Sequence, residues 1–158
     1  MKAGVKFSSN LNAVVSALEK AAYTHMVRAC IHLTNAAKRK LTGPRTGRMY
    51  VIPGLVTIKQ RQQTSGRKLT TKQRARRRYR ASAPYEAPAV LFGHLRNSIK
   101  YTVVGKGMHI QGIVGSDLDK APWLEFGTTR MFPRPFLKPA YEEEKQTLKS
   151  MLGGVWLP

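Results

Sequence analysis

Residues Trp123 to Tyr141, WLEFGTTRMFPRPFLKPAY, restrict the backbone more than any other stretch of this chain. Gly127 can take the positive φ that stops a helical turn at little cost. Three prolines follow, at Pro133, Pro135 and Pro139. A residue before proline is pushed out of the α region, so the segment from Pro133 to Pro139 is expected to run extended. Pro139 suits the first position of a helix, where its missing N–H costs no helical bond. Glu142, Glu143 and Glu144 then fall in that helix's first turn, against the positive end of its dipole. The pattern predicts a turn–loop–helix corner with aromatic anchors. Trp123 and Phe126 are expected in the core, because the turn is apolar on both sides. The loop carrying Arg130, Phe132, Arg134 and Phe136 is expected to face a partner or another subunit.

Ahead of this corner the chain reads as one domain over 1–158. Between Asn10 and Lys40, apolar residues recur at Leu11, Val14/Val15, Leu18, Ala22, Met26, Ala29/Cys30, Leu33 and Ala36/Ala37. Steps of three and four make one apolar stripe on a helix of roughly 45 Å. Ser8, Ser9 and Asn10 are good N-caps, and Thr42-Gly43-Pro44 ends the run. A single long helix is expected, with a break near Tyr23–His25 as the alternative. Met49 to Ile52 and Leu55 to Ile58 read as two short strands or as the arms of a loop around Pro53-Gly54. Val90 to Ser98 has the spacing of a short helix. Ile99–Val104 and Met108–Gly115 are strand-like, with Gly105-Lys106-Gly107 as the hairpin turn. The last helix is expected over Pro139–Leu152, followed by an apolar tail, 153–158. Its Trp156 is expected to fold back on the core or to insert into a neighbouring subunit. The fold class is α+β: a long N-terminal helix and a shorter C-terminal helix packed on a small antiparallel sheet, with a long basic loop.

Charge is the second constraint. Twenty-eight Lys and Arg stand against eight Asp and Glu, for a net charge of +20. Residues 59–80 hold Lys59, Arg61, Arg67, Lys68, Lys72, Arg74, Arg76, Arg77, Arg78 and Arg80 and no acid. Leu69 and Ala75 are the run's only aliphatic side chains, so it cannot bury a face of its own. It is expected to be an extended basic loop or arm, mobile or helical only when its charge is neutralised. DNA phosphates and an acidic protein surface both satisfy that requirement. Tyr79 is the run's one aromatic, so no platform for stacking bases is built into it.

No constellation of catalytic residues emerges. His25 and His32 lie seven apart on one helix, too far for joint metal ligation, and His94 and His109 have no acid near them in sequence. Asp117 and Asp119 are too few to hold calcium and fit loop capping better. Cys30, the only cysteine, lies in the apolar stripe and reads as a buried structural thiol. Gly105-Lys106 is followed by Gly107 and not by Ser or Thr, so it makes no phosphate-binding loop. The chain is therefore expected to be no enzyme and to take no metal or cofactor. It shows no apolar run of membrane-spanning length and no secretory leader, which points to the cytoplasm as its place of synthesis.

Three pieces, GPRTGRMY (43–50), YRASAPYEAPAVLFGHLRNSI (79–99) and APWLEFGTTRMFPRPFLKPAYEE (121–143), carry a further signal. In that order, behind a long helix, they resemble the tail-completion or neck (head–tail joining) component family of long-tailed bacteriophages. The third piece is the most specific, through Trp123, Glu125, Phe126, Gly127, Thr128, Pro135 and Pro139. The chain departs from the family pattern where Leu91-Phe92-Gly93 replaces Asp-Thr-Gly, and where the basic run lengthens the Tyr50–Tyr79 gap. The resemblance implies a structural virion protein, made in the host cytoplasm and located at the head–tail junction. It implies a ring, sixfold in expectation, that joins head connector or stopper proteins to the tail terminator or tail tube, with packaged DNA passing through. Residues 59–80 would then reach the lumen or grip an acidic neighbouring ring. A basic nucleic-acid-binding module of the nucleoid or ribosome type, outside any virion, is the competing class.

Overall fold

The structure, a computed structural model, describes residues 10–59, 73–107 and 109–153, with the backbone alone for 53–59 and 73–77. It has an α+β fold built from a long N-terminal helix, a C-terminal helix and two small antiparallel sheets. Helix α1, Leu11–Thr42, runs unbroken for 32 residues, about 48 Å. Asn10 precedes it without a side-chain cap. Helix α4, Leu137–Gly153, lies antiparallel to it, since His25 meets Met151, His32 meets Glu144 and Lys40 meets Glu143.

Two hairpins make the sheets. Strands β1, Met49–Lys59, and β2, Gln73–Arg80, form one two-stranded ribbon, in register from Met49 opposite Arg80 to Lys59 opposite Gln73. The register slips between Val51 and Val56, where Pro53-Gly54 sits, so the proline is absorbed by a bulge and the two expected strands are one. The C-terminal part of the basic run is therefore a paired strand and not a loop. Lys59, Arg74, Arg76, Arg77, Arg78 and Arg80 all have strand positions, while Arg61, Arg67, Lys68 and Lys72 lie outside the described residues. A cross-strand partner supplies the hydrogen bonds that the run could not make by itself. Among the described residues, the ribbon makes no extensive contact with another helix or strand.

The second hairpin, β3 (Ile99–Lys106) and β4 (His109–Ser116), lies against α1. Gly112 makes the approach possible. A Cβ there would overlap Cys30 Sγ and come within 2.8 Å of Met26 Sδ. Cys30 is buried in this contact, and burial pushes its thiol pKa up, so it stays protonated and inert.

Between β2 and the second hairpin, helix α2 covers only His94–Ser98, shorter than the expected Val90–Ser98. Gly93 stands at its start in the left-handed region, at φ 81°, which no residue inside a helix can adopt. Helix α3, Lys120–Phe126, leads into the proline corner. The core joins Ala36, Ala37 and Leu41 of α1, Ile99 of β3, Ala121 of α3, Phe136, and Ala140 of α4. Four of these seven are alanines, which let the helix axes come close, and Phe136 is the one large ring that fills the space between them. The C-terminal helix packs chiefly on α1.

Candidate functional site: the aromatic corner

The three sequence pieces that carry the family resemblance meet in space, and hydrogen bonds join them. Arg45, in the first, wraps the C-terminus of α1. One guanidinium nitrogen reaches the carbonyl oxygens of Lys40 at 2.6 Å, Leu41 at 2.7 Å and Pro88 at 3.1 Å. These carbonyls would otherwise be orphans of the helix end or the loop. Glu86, in the second piece, accepts from Ala83 N–H at 2.7 Å and from Thr46 N–H at 3.1 Å. The Ala83 bond, then the Thr46 bond, with Arg45 nearby, hold its carboxyl pKa below the ordinary range.

The third piece is organised by Glu125. Its carboxylate accepts from the backbone N–H groups of Phe136 at 2.8 Å, Leu137 at 3.1 Å and Lys138 at 2.7 Å. These are the free donors at the start of α4, and a charge there is favoured by the dipole. The helix is thus capped by a residue eleven or more positions upstream, on α3. This corrects two expectations. Pro139 is the third residue of α4 rather than its first, still within the turn where no N–H is needed. Glu142, Glu143 and Glu144 lie beyond the first turn, and Glu143 and Glu144 face α1. Glu144 accepts from His32 Nε2 at 2.7 Å and Arg39 at 2.8 Å, and Glu143 pairs with Lys40. The His32 hydrogen bond, followed by the charges of His32 and Arg39, lowers the Glu144 pKa.

Gly127 ends α3 at φ 79° and donates its N–H to Trp123 O at 3.0 Å, as the sequence predicts. A Cβ at this position would come within 2.8 Å of Met131 O. Thr128 and Met131 then exchange backbone bonds of 2.9 and 3.2 Å around a tight turn that presents Thr129 and Arg130 outward. Arg134 N–H returns to Leu124 O at 2.7 Å, tying the loop to α3. The second piece joins here as well. Tyr85, at φ 64°, donates its N–H to Pro133 O at 2.8 Å, and its ring lies 5.8 Å from that of Phe132.

The aromatic side chains divide differently from the sequence expectation. Phe136, expected at an interface, has no exposed surface and is the centre of the core. Trp123 and Phe126, expected in the core, are 55% and 79% exposed. Phe132 is exposed at 62% and Tyr85 at 67%. Arg130 is exposed and Arg134 is half-buried, with its Nε enclosed. Ala121 and Leu124, three apart on α3, take the core side of that short helix; Trp123 and Phe126, also three apart, turn the other way. The result is a rigid corner that presents Tyr85, Trp123, Phe126 and Phe132 to the outside. Isolated exposed apolar residues are ordinary, but four aromatics on one hydrogen-bonded corner are not.

Sequence reading missed Arg45, Tyr85 and Glu86. The signal was the pairing of a GPRTG turn with a YEAP turn, whose partnership only the tertiary structure shows. Trp156 lies outside the described residues. Among those residues, no helix is long and apolar enough to cross a membrane. No family model, curated protein or solved structure matches the chain.

Proposed function

We propose that this protein is a structural subunit of the neck of a long-tailed bacteriophage virion. It assembles in the host cytoplasm into a ring, sixfold in this reading, that completes the tail. One face of the ring meets head connector or stopper proteins and the other the tail terminator or tail tube, with packaged DNA passing through. Its role is to join particles and not to catalyse a reaction. The observation that carries this reading is the aromatic corner. The residues of the resembling motifs act as clasps: Arg45, Glu86 and Glu125 spend their polar groups on backbone bonds. Such clasps fix a surface whose aromatic rings then need a partner, which is the economy of an assembly subunit. The exposed apolar residues Val14, Val15 and Leu18 on the first turns of α1 offer a second surface. Two different surfaces on one chain suit head-to-tail contacts, the kind that close into rings.

The test is a joining assay. Heads and tails are isolated from a phage that lacks this gene product, and purified protein is added. The expected result is recovery of joined, infectious particles in proportion to added protein. Heads and tails that stay separate at saturating protein would refute the neck assignment. The competing reading, a basic nucleic-acid module outside any virion, draws on the arginine-rich β2 strand. It predicts nucleic-acid binding with no effect on joining.

A further inference from the structure

The β1–β2 ribbon concentrates positive charge, and neither strand carries an acid. The chain has eight acids, and the fold engages most of them elsewhere. Glu86 holds Thr46 and Ala83, Glu125 caps α4, Asp117 pairs with Lys100, and Glu143 and Glu144 pair with Lys40, His32 and Arg39. None of the ion pairs among the described side chains involves Arg78 or Arg80. Strand β2, QRARRRYR, has arginine at 74, 76, 77, 78 and 80 and no lysine. Arg78 and Arg80 are exposed.

The ladder orders these charges. Positions 80, 78, 76 and 74 stand opposite Met49, Val51, Val56 and Ile58. Alternate positions of a strand share one face and repeat about every 6.8 Å, so four arginine positions line up over about 20 Å. At the ribbon's base, Ala81 N–H bonds to Arg48 O at 2.9 Å and the Tyr50 and Tyr79 rings lie 6.0 Å apart.

We propose that the β1–β2 ribbon is a binding site for double-stranded DNA, held through its phosphates without regard to sequence. A two-stranded ribbon has the cross-section that the major groove admits. Duplex DNA offers a regular row of charge, about one per 1.7 Å of axis, which matches evenly spaced cations. Arginine suits phosphate because its planar fork donates two parallel hydrogen bonds. This site is independent of the neck assignment, since a protein outside any virion would carry it equally.

The experiment is a fluorescence-anisotropy titration of the full chain against a labelled duplex of arbitrary sequence, repeated over a range of salt. Three proteins are compared: wild type, an R74Q/R76Q/R78Q/R80Q variant, and a K20Q/K138Q/K145Q/K149Q variant that loses the same charge elsewhere. Each lost phosphate contact should flatten the slope of log K against log salt by about 0.9. The ribbon variant is therefore expected to lose about 3 to 4 from the slope and more than about tenfold in affinity. The lysine variant should lose about threefold or less. Equal losses in the two variants would overturn the proposal in favour of bulk charge. Wild-type binding to polyglutamate as tight as to the duplex would overturn it in favour of an acidic protein. Should the fourfold ribbon variant fail to fold, the exposed pair R78Q/R80Q is expected to flatten the slope by about 2, and no change there would equally refute the site.

Discussion

At the residue scale, one motif sends two phenylalanines to opposite fates. Phe136 fills the gap between alanine-lined helices, and Phe126 stands in solvent. Phe136→Ala should therefore cost about 3 to 5 kcal/mol, measured by denaturant unfolding, because the cavity cannot collapse. Phe126→Ser should stay within about 0.5 kcal/mol of wild type. The reverse order would contradict the assignment of core and surface. Glu86 and Glu144 give a pH prediction. Both carboxyls titrate below their ordinary value in the folded state, so the unfolded chain takes up protons first as pH falls. Their stabilisation is complete above the unfolded pKa of about 4.3 and is lost as pH drops through the lower folded values. Thermal melts across that range should show Glu86→Gln less steeply acid-sensitive than wild type. A slope unchanged by the substitution would mean that the Ala83 and Thr46 bonds do not survive in solution.

At the element scale, the corner depends on one carboxylate that spans α3 and α4. Glu125→Ala leaves the three donors at Phe136, Leu137 and Lys138 without their acceptor. A loss of about 2 kcal/mol is expected, or about 4 to 8 °C in Tm for a chain of this size. Hydrogen exchange should quicken first at those three amides, and an unchanged exchange pattern would count against the cap. Much of this architecture was legible in the sequence. The stripe from Leu11 to Ala37 gave α1, the Gly105–Gly107 signal marked the second hairpin, and Gly127 marked the end of α3. The first ribbon was hidden because β2 has no apolar alternation of its own and is held by pairing to β1. The cap was hidden because the proline rule favours Pro139 anywhere in the first turn, and the acids nearby suggested a local dipole contact. Exposure at Trp123 and Phe126 was not legible because apolar neighbours in sequence do not fix which side of a two-turn helix meets the core.

On the scale of the whole molecule, the fold divides its work. Arg45, Glu86, Glu125 and the α1–α4 ion pairs lock the body and engage four of the eight acids. The aromatic corner, the first turns of α1, and Arg78 and Arg80 of the ribbon are exposed. That division suits the proposed role of an assembly subunit beside a polyanion, in which the corner is the contact surface. The joining assay tests it most directly when run with wild type and with F126S/F132S, a double variant that keeps Phe136 and the Glu125 clasp. Aromatic anchors at interfaces are worth about 2 kcal/mol or more each, so losing both should raise the protein needed to join the same fraction of heads and tails on the order of 1,000-fold, at an unchanged Tm. Joining by F126S/F132S at the wild-type concentration would contradict the corner as the contact surface.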